Sequence, residues 1–135
     1  MQNTKVFYQD WGMIDYKAAW EIQEDIFASV IKLKRDLRSL APVAPGDLSI
    51  KAIPVETPNY LIFCEHSHVF TLGRTGSANH LLLDNQGLKK KRAVFYPINR
   101  GGDITYHGPG QLVCYPILDL DNFYTKPHNV VCHRA

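Results

Sequence analysis

The sequence predicts a mixed α/β fold, an α+β domain with one long helix packed on a sheet, and three features carry that expectation. Ala19, Ile22, Ile26, Val30, Leu33 and Leu37 recur three and four residues apart, the spacing of one apolar face on a helix of about six turns. Residues 59–64, NYLIFC, form a nearly continuous apolar run of strand length, as expected of a central strand covered on both faces. Two further runs, 93–98 and 112–118, read as strands that flank a glycine-rich segment. At 135 residues the chain is long enough for one domain with a real core and too short for two of ordinary size.

Taken in order, residues 5–8 (KVFY) read as a short strand that Asp10-Trp11-Gly12 breaks. Asp15 is placed to cap the long helix, and Trp20 and Phe27 flank its apolar stripe as core residues. Residues 38–58 hold Pro42, Pro45, Gly46, Pro54 and Pro58 and read as a connection with at most one short strand, around 48–53. Cys64, ending the central run, reads as a small buried hydrophobe, and Cys114 as buried and inert. Residues 77–83 suit a short helical turn, and 84–92 an exposed helix or loop. Tyr115-Pro116 places the last strand near an edge or a bulge. The segment after residue 120 has neither period and reads as loose.

Hydrophobic residues at 45% and charged residues at 21% are normal for a globular protein, and a net charge of +2 is too mild for a nucleic-acid footprint. The one dense basic run, Lys89-Lys90-Lys91-Arg92, reads first as a solvated helix end and second as a dock for an acidic partner. Three cysteines with no Cys-x-x-Cys pair fit neither a zinc ribbon nor a disulfide framework. No apolar stretch is long enough to span a membrane and no signal-like start is present, so a cytoplasmic location is expected.

The segment most suited to a site is RGGDITYHGPGQ, residues 100–111. Gly101-Gly102 and Gly108-Pro109-Gly110 let the main chain approach a ligand, although the same glycines also make ordinary hairpins. Between them Asp103, Thr105, Tyr106 and His107 offer a carboxylate, a hydroxyl, an aromatic wall and an imidazole, and Arg100 stands at the entrance as a fixed cation. A second cluster, Glu65, His66 and His68, precedes the glycine-flanked turn Gly73-Arg74-Thr75-Gly76. Its spacing matches no closed tetrahedral metal site, and His128, Cys132 and His133 are metal ligands on paper only.

Three blocks in this order, DWGMIDYKAAWEIQ at 10–23, EHSHVFTLGRTG at 65–76 and RGGDITYHGPGQLVCYPILDL at 100–120, resemble the octanoyl/lipoyl transferase family. This is the lipoate-protein ligase B type within the biotin/lipoate protein ligase superfamily. The resemblance implies a twisted mixed sheet with helices packed on it and the ligand lying over the sheet. It implies transfer of an octanoyl or lipoyl group from acyl carrier protein to a lysine of the lipoyl domains of 2-oxoacid dehydrogenases and of the glycine cleavage H protein. No cofactor, metal, nucleic acid or membrane is implied.

By the same resemblance, Arg100, Gly101, Gly102, Asp103, Ile104, Thr105, Tyr106 and His107 form the acyl-binding segment, Tyr106 and His107 walling the pocket, with His66 and Arg74 weaker candidates at its rim. The family's chemistry rests on a cysteine nucleophile beside a lysine whose ammonium stabilises the thiolate, while backbone amides near the glycines stabilise the oxyanion. Neither block has a counterpart here. Cys132 lacks the Pro-Cys-Gly surroundings and Lys126 the Gly-x-Lys context. The expectation is therefore a C-terminally truncated or frame-altered, inactive member, with 1–120 the first part of one catalytic domain and 121–135 a divergent tail. The competing expectations are an ATP-dependent lipoate or biotin ligase relative and a non-catalytic acyl- or partner-binding module.

Overall fold

The computed structural model describes residues 3–39 and 56–124, together with the backbone of 131–133. The strand expected around 48–53, Lys126, His128 and the side chains of Cys132 and His133 lie outside the described residues.

Helix α1 spans Tyr16–Ser39. Its start is where the sequence put it, because the Asp15 carboxylate accepts from the Ala18 amide at 3.0 Å and satisfies one of the donors a helix leaves open. The buried stripe is Tyr16, Ala19, Gln23, Val30 and Lys34, and Ile22, expected within it, is 42% exposed. The face is thus rotated from the purely apolar reading. Two polar residues hold it there: Gln23 Nε2 donates to the Ala19 carbonyl at 3.1 Å, and the Lys34 ammonium pairs with Asp119 and, at 2.9 Å, with Asp121.

Strand β1 (Val6–Met13) runs parallel to β2 (Asn59–Glu65), with α1 in the crossover between them. It is longer than the sequence suggested. Asp10-Trp11-Gly12 makes a bulge instead of a break, Gly12 sitting at φ +59° with its amide on the Asp10 carboxylate, and pairing resumes between Met13 and Glu65. Strand β6 (Val113–Asp119) lies antiparallel on the other side of β2, so β2 is central as expected. Strand β7 (Val131–His133) adds to β6 and gives the order β1-β2-β6-β7. It pairs with Ile117–Asp119, so β6 has a strand on each side, and Tyr115 and Pro116 pair in unbroken register with Ile62 and Leu61 instead of marking the edge or bulge expected there.

Side chains alternate along these strands. Ile62, Cys64, Tyr115 and Ile117 turn towards α1 and bury against Val30. Cys114 turns the other way and is exposed, contrary to the buried position expected of it: an apolar run does not reveal which face of a strand is covered.

The segment after 120 also enters the fold. The Asp119 carboxylate accepts from Thr57 Oγ1 at 2.6 Å, Asn122 Nδ2 donates to Thr57 and Asn59 at 3.1 Å, and Arg38 reaches Asp121 at 3.2 Å. This buried network ties the C-terminal end of α1 to the start of β2 and the end of β6.

A second sheet has β3 (Val69–Leu72) at its centre, with β4 (Val94–Pro97) parallel on one side and β5 (Ile104–His107) antiparallel on the other. The connection from β3 to β4 holds a turn of 3₁₀ helix at Ala78–His80, capped by Ser77, and helix α2 (Asn85–Lys90), capped by Asp84. Val69 and Ile98 bury against Tyr16. No helix among the described residues is long and apolar enough to cross a membrane.

Candidate functional site

The glycine-rich loop before β5 is locked to the turn after β3. Across the gap Arg74 N donates to Arg100 O at 2.9 Å, Gly73 N to Asp103 O at 3.3 Å, and Thr75 Oγ1 to Gly102 O at 3.1 Å. The approach is close enough to demand glycine at position 73, where an added Cβ would stand 2.3 Å from Gly102 O. Gly102 itself sits at φ +89°. Asp103 closes the far side, accepting from the His80 imidazole, which holds its carboxyl below the usual carboxylate range, and from Ser77 N at 3.3 Å.

Arg100, expected as a cation at the entrance, faces inward. Its Nη2 donates to Thr71 O at 2.9 Å, Thr71 Oγ1 at 2.9 Å and Asp103 O at 2.8 Å, and its Nη1 donates to Gly101 O at 2.8 Å. The guanidinium fork thus clamps its own loop onto the buried Thr71.

The carbonyls of Arg100, Gly101, Gly102 and Asp103 all accept from protein donors. The amides of Gly101, Gly102 and Asp103, by contrast, donate no hydrogen bond among the described residues. Gly101 and Gly102 are exposed. Unpaired amides on successive exposed residues are donors available to a carbonyl oxygen or an anion.

Beside this loop lies a cleft of about 460 Å³. Trp20, Leu72, Pro97 and Ile98 give it an apolar lining, and Arg74 and Asn99 supply its polar groups. Arg74 is exposed, and its guanidinium makes no hydrogen bond or ion pair among the described residues. Volume and lining suit a small apolar ligand with a polar end.

Tyr106 and His107, expected to wall one pocket, sit on opposite faces of β5 because strand side chains alternate. His107 stacks on Tyr16 at 6.3 Å between ring centroids and 12°, whereas Tyr106 packs on Phe70 at 5.1 Å and bonds His68 Nδ1 through its hydroxyl at 2.6 Å. Thr105 shares the face of His107, and Ile104 that of Tyr106. Glu65 and His68 diverge as well: Glu65 accepts from Gly110 N at 2.7 Å, and His68 goes to Tyr106. Among the described residues no group of three His, Cys, Asp or Glu is placed to hold a metal ion.

His66 is fully buried. Its Nδ1–H donates to the Ile14 carbonyl at 2.9 Å, which leaves Nε2 to accept from the Tyr115 hydroxyl at 2.7 Å. Burial pushes its pKa below the ordinary value, the Ile14 carbonyl pulling the other way, so the ring is held neutral. Cys64 Sγ lies 3.5 Å from Nε2, but burial pushes its thiol up to about 11, leaving almost no thiolate at neutral pH.

Tyr16 joins these groups. It lies edge-on to His66 at 5.2 Å, stacks on Tyr96 at 5.8 Å and packs on Trp20 at 6.5 Å, linking the cleft to the His66 network. The apolar stripe read from the sequence begins three residues later, at Ala19, and so leaves Tyr16 out. The signal was an aromatic residue in a helix's first turn inside the 10–23 block.

Comparison with known proteins decides the family. A family model described as the lipoyl protein ligase A/B catalytic domain matches residues 15–133. The chain belongs to the lipoyl protein ligase A/B family. It is 51% identical over 129 residues to an octanoyltransferase of Cytophaga hutchinsonii, covering 93% of this chain and 48% of that protein. Octanoyltransferases of Flavobacterium johnsoniae and Bacteroides fragilis are 49% and 44% identical, over 93% and 88% of this chain and 50% and 46% of theirs. The chain therefore spans about half the length of the curated relatives it matches. The family match also runs past residue 120 to 133, through the segment whose sequence matched none of the three blocks, in keeping with the pairing of β7 to β6.

Proposed function

We propose that this chain supplies the acyl-binding part of an octanoyltransferase, which moves an octanoyl group from acyl carrier protein to a lysine of a lipoyl domain through a cysteine thioester. The observation that carries the reading is the loop of residues 100–103, whose four carbonyls accept from protein donors while the Gly101, Gly102 and Asp103 amides donate to none of the described residues, beside an apolar cleft. The acyl chain lies in the cleft along Trp20, Leu72 and Ile98. Its thioester oxygen meets the Gly101 and Gly102 amides, which are already oriented and do not reorganise as negative charge develops there.

Arg100 acts from behind, fixing the loop without touching the ligand. Arg74 stands at the polar end of the cleft, and the neutral His66, through Tyr16, supports the aromatic lining. Neither Cys64 nor Cys114 serves as the nucleophile: Cys64 is buried with its ionisation suppressed, and Cys114 opens on the face of β6 turned away from α1. The acyl-binding residues therefore hold the donor and do not themselves supply the nucleophile. The family description names ligases, but the relatives named above are octanoyltransferases, which favours a thioester donor over ATP-dependent activation.

The chain is incubated with octanoyl-acyl carrier protein and a lipoyl domain, with intact-mass analysis of all three. The expected result is an intact donor thioester, an unmodified chain and saturable binding of S-octanoyl-pantetheine. An octanoyl group gained by the chain or by the lipoyl domain would contradict the non-catalytic reading. Heat stabilisation by ATP with lipoate, and none by octanoyl thioester, would place the chain with the ligases.

A further inference from the structure

The corner formed by α2 and β4 carries features that the acyl-binding reading does not use. Lys89, Lys90, Lys91 and Arg92 are all exposed, and among the described residues none of these side chains makes a hydrogen bond or ion pair. The carboxylate on this stretch, Asp84, is spent accepting from Gly87 N at 2.7 Å. The basic run therefore stands unneutralised.

A cationic helix end has a bland explanation, since lysines there favour the helix dipole. That accounts for Lys89 and Lys90 and not for Arg92. Arg92 sits at φ +52°, just past the helix, where its amide donates to Lys89 O and the Ala93 amide to Leu88 O. This is the pairing that closes a helix over a left-handed residue, a position that glycine fills without strain. Here a strained cation stands in its place.

The second observation is apolar. Against the same corner lies a cleft of about 630 Å³ whose apolar lining is Leu81, Leu83, Leu88, Val94 and Phe95, with Asp84, Asn85 and Lys89 as the polar groups of its wall. Leu82 beside it is 95% exposed and Val94 40% exposed. Exposed leucine next to unpaired lysines is the complement of a helix with one acidic and one apolar side.

We propose that this α2–β4 corner is the docking surface for the acyl carrier protein, whose acidic helix lies along Lys89, Lys90, Lys91 and Arg92 and sets an apolar side chain into the leucine-lined cleft. The inference rests on the octanoyl-transfer reading for the partner's identity. Position selects the donor over the acceptor. The corner leads into β4 at Val94, and the chain runs the length of that strand to Pro97, about 10 Å at the usual rise per residue, before it reaches the acyl-binding loop. A carrier with a long flexible prosthetic arm bridges that distance, whereas an acceptor lysine must be brought directly over the loop.

The test is hydrogen exchange on the full chain, with acyl-free carrier protein and, separately, with S-octanoyl-pantetheine. Carrier protein is expected to slow exchange over residues 81–95, less so as salt rises. The double variant Lys90→Glu, Lys91→Glu should weaken carrier binding about tenfold, and Leu82→Asp, at a fully exposed position, severalfold. Octanoyl-pantetheine should protect residues 100–104 equally in wild type and both variants.

Unchanged carrier affinity in the double variant, or protection that bypasses 81–95, overturns the proposal. So does protection of 81–95 by a lipoyl domain, by anionic vesicles or by self-association when the carrier gives none. If carrier protein protects 81–95 while octanoyl-pantetheine leaves 100–104 unprotected, the acyl-loop reading fails and the docking surface stands. The reverse pattern sinks the docking surface alone.

Discussion

Replacing Gly73 with alanine tests the contact on which the loop geometry depends. The new Cβ would lie 2.3 Å from Gly102 O and 2.9 Å from Gly101 O, both backbone atoms of a loop already clamped by Arg100. Contact below about 3 Å is not sustained, so the two loops must part by several tenths of an ångström. The bonds from Gly73 N to Asp103 O and from Arg74 N to Arg100 O then stretch. Overpacking of this kind costs about 2 kcal/mol. By hydrogen exchange the amides of residues 73 and 74 should open faster, while α1 and the β1-β2-β6 ladder keep their protection. Affinity for S-octanoyl-pantetheine should fall about tenfold, because the unpaired amides lose their fixed direction. Gly101→Ala is the control, since nothing lies within 4 Å of its Cβ; it should change stability by less than about 0.5 kcal/mol and still impair binding, where the ligand meets the main chain. Unchanged exchange and affinity in Gly73→Ala would refute the reasoning.

Three other expectations follow from the same coordinates. Lys34→Ala leaves Asp119, 2% exposed, without its ammonium partner and should cost about 3–5 kcal/mol in urea unfolding, whereas loss of the exposed Lys32–Asp36 pair should leave the unfolding midpoint almost unmoved. His66 is held neutral by burial, so the unfolded chain takes up a proton as pH falls past about 6.5 while the folded chain does not. Its contribution to stability is therefore whole above that pH and is lost as pH falls towards the lower folded pKa; the loss between about pH 7.5 and about pH 5.5 should be smaller in His66→Gln. Arg92→Gly relieves the left-handed backbone and should raise stability by about 1 kcal/mol while weakening carrier binding, two readouts moving in opposite directions; a purely structural residue would change the first alone.

Much of this architecture can be read from local chemistry. The Asp15 cap, the central strand at NYLIFC and the two strands flanking the glycine-rich segment all follow from period and punctuation, and the structure has each of them. What escaped depends on partners distant in sequence. Gln23 and Lys34 belong to the buried face of α1 only because Ala19 O, Asp119 and Asp121 meet them, and a hydropathy pattern reads both as solvent-facing. Asp10-Trp11-Gly12 looks like a strand's end until Glu65 is present to pair with Met13 across the bulge.

The site divides the same way. The glycine-rich segment stands out as a candidate site by its residue types, but the direction in which Arg100 points does not show in them. A guanidinium can face a ligand or its own backbone with equal ease, and Thr71, far away in sequence, decides which. Tyr106 and His107 are neighbours in sequence and strangers in space, for the plain reason that β5 is a strand. The exposure of Cys114 is likewise set by which face of β6 the helix covers.

The most direct test of the acyl-binding loop is an amide NMR titration comparing S-octanoyl-pantetheine with the matching octyl thioether, which keeps the chain and lacks the carbonyl. Both ligands should shift the Trp20 and Ile98 signals, and only the thioester should move the Gly101 and Gly102 amides downfield, as a new hydrogen bond requires. Equal shifts with both ligands, or Gly101 and Gly102 unmoved by a thioester that fills the cleft, would contradict the account.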